Sequence, residues 1–373
     1  MTIEHPPAAV RHLPVLEITR GLACAIVVLF HCFNALYKAK GIDITGWPER
    51  LMYVAASTVD VFFVISGFIM VYVSHGDFGR PGATLNFAVR RGIRILPMYW
   101  LFTAGYALIL LDRASERADP ETLPLILSSF VFWPWWHPDG FPKVAPLLPQ
   151  GWTLLFEVYF YFLFTLFIAW GSLRSITRWL PVVFGGVIAV AWLLPPGGPR
   201  AMLINPIVFD FWFGVVLCQV HLSGWRPSRG QRLVFVAIAI VGVIAFSPVA
   251  HYSVFRPLMW GIPAMLLLAA TLDLSGGRSR LARGGVALGT MSYSLYLAHM
   301  LVVEPIAHSF RKGAYALPIP LLALTMFGLC LLGGALFYYA VERPVTRGLN
   351  RKWSEHKARR AAARPSTRPV APV

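Results

Sequence analysis

Charge is what this chain has least of. Only 13% of its 373 residues are Asp, Glu, Lys or Arg, about half the share of a soluble domain. So few charges cannot make a polar skin, and 57% of the residues are apolar and fall in long runs. The bilayer is the solvent that suits such runs. Acids are scarcer than bases, 17 against 33, for a formal charge of +16. The bases gather in the gaps between apolar runs, which reads as membrane topology and not as nucleic-acid binding. Cysteine is nearly absent: Cys24, Cys32, Cys218 and Cys330 lie inside apolar runs, with no C-x-x-C pair. They read as small apolar residues, so neither a disulfide nor a metal site is expected. The first apolar run lacks a small-residue cleavage site and reads as a retained helix. No internal repeat of the transporter kind is visible, and Ser66 does not sit in a G-x-S-x-G elbow.

Ten spans are expected, near residues 15–37, 51–74, 85–111, 150–170, 179–194, 201–221, 231–248, 254–273, 286–308 and 315–341. The fold class is therefore all-α: a polytopic membrane helical bundle of about ten transmembrane helices. The stretch Leu123–Trp136 is apolar but short and broken by Pro124 and Pro134. With Trp133, Trp135 and Trp136 it reads as an interfacial or re-entrant part of a long outer loop, 112–149. If it crossed, every later span would invert. With the N-terminus inside, 23 of the 33 Lys and Arg fall on the inner side, which favours ten spans with both termini cytoplasmic. The chain then divides into a cytoplasmic N-terminus (1–14), a transmembrane domain (15–343) and a basic cytoplasmic tail (344–373). That tail reads as disordered, lying near anionic lipid.

An ionisable group at membrane depth costs at least about 2.5 kcal/mol, so each one needs a reason. Arg20 and His31 are 11 residues apart, close to three full turns, so both lie on one face, separated by roughly 16 Å of rise. Glu17, one turn before Arg20, can pair with it. Two costly residues on one stripe point to a shared polar cavity. A histidine at mid-membrane suits general-base chemistry, its unperturbed pKa lying near neutrality; the alternative is a packed, hydrogen-bonded histidine. Asp60 has three readings: it orients a histidine, holds a sugar hydroxyl, or closes a structural hydrogen bond. Ser66 and Gly67 read as a close helix approach. Arg90, Arg91 and Arg94 crowd the start of the third span. They form either a positive-inside anchor or a phosphate site of guanidinium forks at a helix N-terminus. Glu157 lies about two turns into the fourth span, with Tyr161 one turn further on. Trp152 is an interface aromatic or a platform for a sugar face. Asp210, His299 and Glu304 complete an interior too polar for a passive anchor. Two classes fit it: an enzyme with a membrane-embedded site, or a proton-coupled exporter of a glycan or lipid.

Arg20-x10-His31, Asp60 through Phe68, Arg91-x-x-Arg94 before Pro97, Trp152-Thr153 with Glu157, Ser292 through His299, and Glu342-Arg343-Pro344 occur in that order. Together they resemble the acyltransferase-3 family of bacterial membrane acyltransferases, over about residues 13–346. Phe62 through Tyr72 and Gln150 through Tyr161 look most like the family's exopolysaccharide O-acetyltransferases of the succinoglycan type. The resemblance implies an inner-membrane enzyme that takes acetyl from cytoplasmic acetyl-CoA and modifies a hydroxyl of a cell-surface or exported glycan. It carries His31 over as the catalytic histidine and Arg20, Arg91 and Arg94 as donor-side arginines, to which Arg90 is added by position. Asp60 and Glu157 stand as further catalytic candidates. Trp152, Tyr161, Tyr293 and His299 stand as substrate-binding candidates. Acetyl-CoA is expected as a substrate that comes and goes, with no permanently bound cofactor and no metal. The other expected partners are the glycan acceptor and membrane lipid, with a homodimer or separate glycan-assembly proteins as options. No hydrolase-like domain is expected after the last span.

Overall fold

The computed structural model describes residues 13–43, 46–112, 120–135, 144–250, 253–274 and 279–362. The apolar runs become helices because hydrocarbon offers no partner for backbone N–H and C=O groups, which must bond within their own segment. In chain order the helices are α1 (Pro14–Ala39), α2 (Trp47–Ser74), α3 (Ala83–Asp112), α4 (Thr122–Phe130), α5 (Trp152–Trp170) and α6 (Leu173–Ala191). Then come α7 (Gly198–Leu203), α8 (Phe209–Leu222), α9 (Arg229–Ala250), α10 (Ile262–Thr271), α11 (Arg280–Arg311), α12 (Ile319–Phe337) and α13 (Arg343–Ala362). No β-strand occurs among the described residues. Ser172 and Ser279 cap α6 and α11, accepting from the amides of Ser175 and Ala282.

Among the described residues, eight helices are long and apolar enough to cross a bilayer, and two shorter apolar ones, Pro206–Leu222 and Pro257–Thr271, stand where the remaining two spans are expected. The outside of the bundle is covered with large apolar side chains, among them Leu108, Trp170, Leu193, Leu281 and Leu332, as a lipid solvent requires. α4 has nine residues, a rise of about 14 Å, too short to cross. It lies against α3, where Tyr99 Oη donates to the Ser129 carbonyl and Trp100 Nε1 to the Phe130 carbonyl, both at 2.9 Å. Trp136 lies outside the described residues.

One pairing sets the sense of the bundle. Cys24 meets Ser292 and His31 meets His299, each pair 268 residues apart. Gly21 faces Gly289 at that same offset. A constant offset means that α1 and α11 run parallel in one register. Seven spans lie between them when α4 stays out of the count, an odd number, so the two must point the same way. Had the Leu123–Trp136 stretch crossed, they would be antiparallel. At the contact, a Cβ on either glycine would strike the other helix's backbone. The two glycines therefore permit an approach that larger residues would prevent. Gly67 serves α2 in the same way against the Phe211 carbonyl of α8, the close approach expected there.

The tail departs from expectation. Residues 343–362 are helical and continue α12 through a π-helical turn at Tyr338–Glu342. The sequence there has no apolar stripe, which is why it reads as disordered, but distant groups hold it. Glu342, 1% exposed, pairs with Arg94 and accepts from Ser294 Oγ at 2.6 Å. Further along, Trp353 Nε1 and Lys357 Nζ both donate to Asn86 Oδ1, at 3.1 and 2.8 Å. Residues 363–373, the rest of the expected tail, lie outside the described residues.

Candidate functional site

Three cavities follow one another through the bundle. The mouth, of about 480 Å³, is lined by Arg20, Arg90, Arg91 and Arg94, with Thr346, Asn350 and Ser354 on the facing side of α13. A middle cavity of about 150 Å³ shares Arg20, Arg91 and Arg94 with it and adds Ser66, Glu157, Tyr161 and Tyr293. A far cavity of about 390 Å³ holds His31, Asn34, Lys38, Gln150 and Trp152. Val59 and Tyr296 line both the middle and the far cavity and form the wall between them. The expected single cavity along the Arg20–His31 stripe is therefore divided. Both residues lie on one helix face, but Arg20 opens to the mouth and His31 to the far side of Tyr296.

The far cavity contains the best-defined chemistry. His299 Nδ1 lies 2.6 Å from the Tyr296 carbonyl, which can only accept, so that nitrogen carries the proton. The neutral His299 ring then has a lone pair at Nε2. His31 Nδ1 lies 2.8 Å from that nitrogen and must donate to it. The two rings are parallel within 3°, with centroids 5.0 Å apart. The tautomer of His31 follows: proton at Nδ1, lone pair at Nε2, and no protein partner for Nε2 among the described residues. A neutral imidazole with a free, oriented nitrogen beside a cavity is a proton acceptor. His299 itself is fully buried. It was expected to bind substrate; instead it holds His31, because the parallel register of α1 and α11 puts the two rings in contact.

The four arginines differ in what they touch. Arg20 donates to Glu17 at 2.6 Å, to the Gly289 carbonyl at 2.7 and 3.2 Å, and to Ser292 Oγ at 3.1 Å. Arg94 pairs with the buried Glu342 and lies over the Tyr293 ring. Arg91 sits between mouth and middle cavity, and its Nε is buried with no hydrogen-bond partner among the described residues. Arg90 lies exposed at the mouth. The guanidiniums ready for an anion are those of Arg91 and Arg90, while Arg20 and Arg94 are engaged by the protein.

The two other catalytic candidates do not join His31. Asp60 is fully buried and takes a two-pronged bond from Arg256, Nε to Oδ1 at 3.1 Å and Nη2 to Oδ2 at 2.8 Å. Its carboxylate is engaged by that guanidinium, lies beside the Asp210 carboxyl and lines none of the three cavities, an arrangement that suits the structural one of its three readings. Glu157 lines the middle cavity, accepting from Ser66 Oγ at 3.2 Å and from Tyr161 Oη. Tyr161 and Tyr293 line that same middle cavity, and Tyr293 Oη donates to the Ile95 carbonyl at 2.8 Å. Of the four substrate-binding candidates, Trp152 alone lines the far cavity beside His31.

Three residues of consequence escaped the sequence reading. Asn34 and Lys38 follow His31 at three and seven residues, on its own helix face, so the helical period would have found them. Arg256 opens a short apolar helix, and a lone arginine there requires an acid; its identity as Asp60 is not readable locally.

Comparison with known proteins gives a consistent answer. The family model described as an acyltransferase domain matches residues 13–339. The chain is 32% identical to exopolysaccharide production protein ExoZ of Rhizobium meliloti (strain 1021), over 83% of this chain and 95% of that one. It is 25% identical to acyltransferase MdmB of Streptomyces mycarofaciens, over 93% of this chain and 95% of that one. No solved structure matches.

Proposed function

Since the chain belongs to the family of membrane acyltransferases whose domain spans most of its length, we propose that it transfers acetyl from cytoplasmic acetyl-CoA to a hydroxyl of a cell-surface or exported glycan. It is a multi-pass membrane enzyme; the bacterial cytoplasmic membrane as its place, acetyl as the group and a glycan as the acceptor are our reading. The exporter alternative falls with the family assignment. The similarity to an exopolysaccharide production protein supports a glycan acceptor. The observation that carries the chemistry is the His31–His299 bond, which leaves His31 Nε2 as a base in the far cavity.

The positive-inside bias places the arginine mouth at the cytoplasm and the far cavity toward the outside. Arg91 and Arg90 take phosphates of CoA, with the arginine fork suited to phosphate oxygens. The Thr346, Asn350 and Ser354 face of α13 offers neutral hydrogen-bonding groups to the rest of the nucleotide. The pantetheine arm runs into the middle cavity, and the wall of Val59 and Tyr296 opens for the thioester to meet His31. A glycan hydroxyl entering the far cavity, with its ring against Trp152, gives its proton to His31 Nε2. Its oxygen attacks the thioester carbonyl, the C–S bond breaks, and the departing sulfur takes the proton back from the imidazolium. The products are the O-acetyl glycan and CoA thiol.

The test is a comparison of surface glycans from a deletion strain, the same strain complemented, and one complemented with His31→Ala. Mass spectrometry should show acetyl groups lost on deletion, restored by the native chain and absent with His31→Ala. Normal acetylation by a His31→Ala protein present in membranes would falsify the proposal.

A further inference from the structure

A fourth cavity lies apart from the three already described. It has about 810 Å³, within the range of ligand pockets, and forms where the turn between α2 and α3 meets the last turns of α13. Three permanent cations line it, Arg80, Lys357 and Arg360. One acid, Asp77, lines it as well. Among the described residues no salt bridge engages any of the three cations. Arg80 and Arg360 are exposed, and Lys357 is half-buried. The nearest acid along α13, Glu355, pairs with Arg351.

The cluster is built into the fold. Asn86 Oδ1 takes both Trp353 Nε1 and Lys357 Nζ, which ties α13 to α3 and fixes one wall of the cavity. That bond leaves the Lys357 ammonium two further donors and no counter-charge. Trp353, His356, Lys357 and Arg360 follow one helical period, so a single face of α13 carries them. A different face of the same helix, with Thr346, Asn350 and Ser354, lines the arginine mouth. Another part of the cavity wall is apolar. Leu85, 50% exposed, lines it from the first turn of the span Ala83–Leu111. Cations beside an exposed apolar side chain of a span suit a molecule with an anionic head and chains in the bilayer. A soluble anion would leave Leu85 uncovered. The positive-inside bias sets this end of the bundle at the cytoplasmic leaflet, whose surface is anionic.

We propose that this cavity binds the headgroup of an anionic phospholipid, with its phosphate on Arg80, Lys357 and Arg360 and its chains running along α3 past Leu85. The guanidinium fork fits phosphate oxygens. The lipid bridges the turn before α3 and the end of α13, and so holds α13 in the place where its other face lines the mouth. The inference rests on the membrane assignment and on neither the acetyl-CoA nor the glycan reading.

The experiment uses the full-length chain in neutral detergent, titrated with phosphatidylglycerol or phosphatidylcholine and read by native mass spectrometry. The native chain should retain one phosphatidylglycerol that Arg80→Gln/Arg360→Gln loses. The Kd for that lipid should rise about 100-fold, a factor of ten for each charged contact removed. Arg80→Lys/Arg360→Lys keeps both charges and should recover most of the affinity. Equal Kd in the native chain and the Gln pair overturns the proposal, as does equal retention of phosphatidylcholine by the native chain. CoA titrated in place of lipid separates two sources of phosphate. Weaker CoA binding by the Gln pair, with phosphatidylglycerol unchanged, would make the cavity part of a nucleotide site and overturn the lipid assignment. Should the Gln pair fail to elute as one species, Arg80→Gln and Arg360→Gln are measured singly. Each should weaken phosphatidylglycerol about tenfold, and no change in either overturns the proposal.

Discussion

Gly21→Ala tests the link between helix packing and chemistry most directly. An added Cβ at Gly21 would lie 2.6 Å from the Gly289 amide nitrogen, where ordinary contact begins at 3.4 Å. α1 and α11 must then part by about 0.8 Å at that level, since the obstacle is backbone and cannot swing aside. His31 and His299 each lie ten residues further along the same parallel pair. If the helices part as rigid rods, the 2.8 Å His31–His299 bond lengthens to about 3.6 Å, past the limit of a hydrogen bond. His31 then loses the partner that fixes its tautomer. A misplacement of this size is associated with about a 100-fold loss of rate. The assay is transfer of labelled acetyl in proteoliposomes, alongside donor binding by calorimetry. The expected result is a fall in kcat of about two orders of magnitude in protein that still inserts and elutes as one species. A Gly21→Ala protein with native kcat would show that the register of α1 and α11 does not hold the base, and the reasoning from His299 would fail.

Four further outcomes are expected. His299→Phe should lower kcat about 100-fold by freeing the His31 tautomer, while His299→Gln, which can both accept from His31 and donate to the Tyr296 carbonyl, should recover most of it. Equal losses in both variants would make His299 a packing residue only. Arg91→Ala should weaken acetyl-CoA binding roughly tenfold or more with little effect on thermal stability, since its buried Nε has no hydrogen-bond partner among the described residues and only the Phe87 ring lies against the guanidinium. Arg94→Ala should instead destabilise, by about 3 kcal/mol, because it strands the buried Glu342; thermal unfolding and donor titration of the two variants separate the roles. Asp60→Asn removes the carboxylate that Arg256 grips with two bonds and leaves the neighbouring Asp210 as the nearest acid, so it should cost less than the full loss of a buried pair, about 3 kcal/mol at most, read as a lower unfolding temperature. A stable Asp60→Asn protein with abolished transfer would return Asp60 to the catalytic list.

The membrane architecture was legible because the bilayer imposes a length and a polarity on every crossing segment, and both are local properties of the chain. The Arg20–His31 stripe was legible for a similar reason, since the helical period places residues on faces without reference to any neighbour. What lay beyond reach was partnership. His31 is held by a ring 268 residues away, Arg94 by a carboxylate 248 away, and Asp60 by a guanidinium 196 away. Spacing within one helix says nothing about which other helix lies alongside, or in what register. For that reason Asp60 and His299 could be picked out as costly residues but not given their roles. The helix after Glu342 was misread because its stability comes from Asn86 and Arg94 and not from its own composition. Sequence alone determined that polar groups would be buried in lipid. Only the tertiary structure decided which of them neutralise one another and which, like His31 and Arg91, line a cavity with a nitrogen that no described residue engages, because pairing depends on close approach between helices distant in the chain.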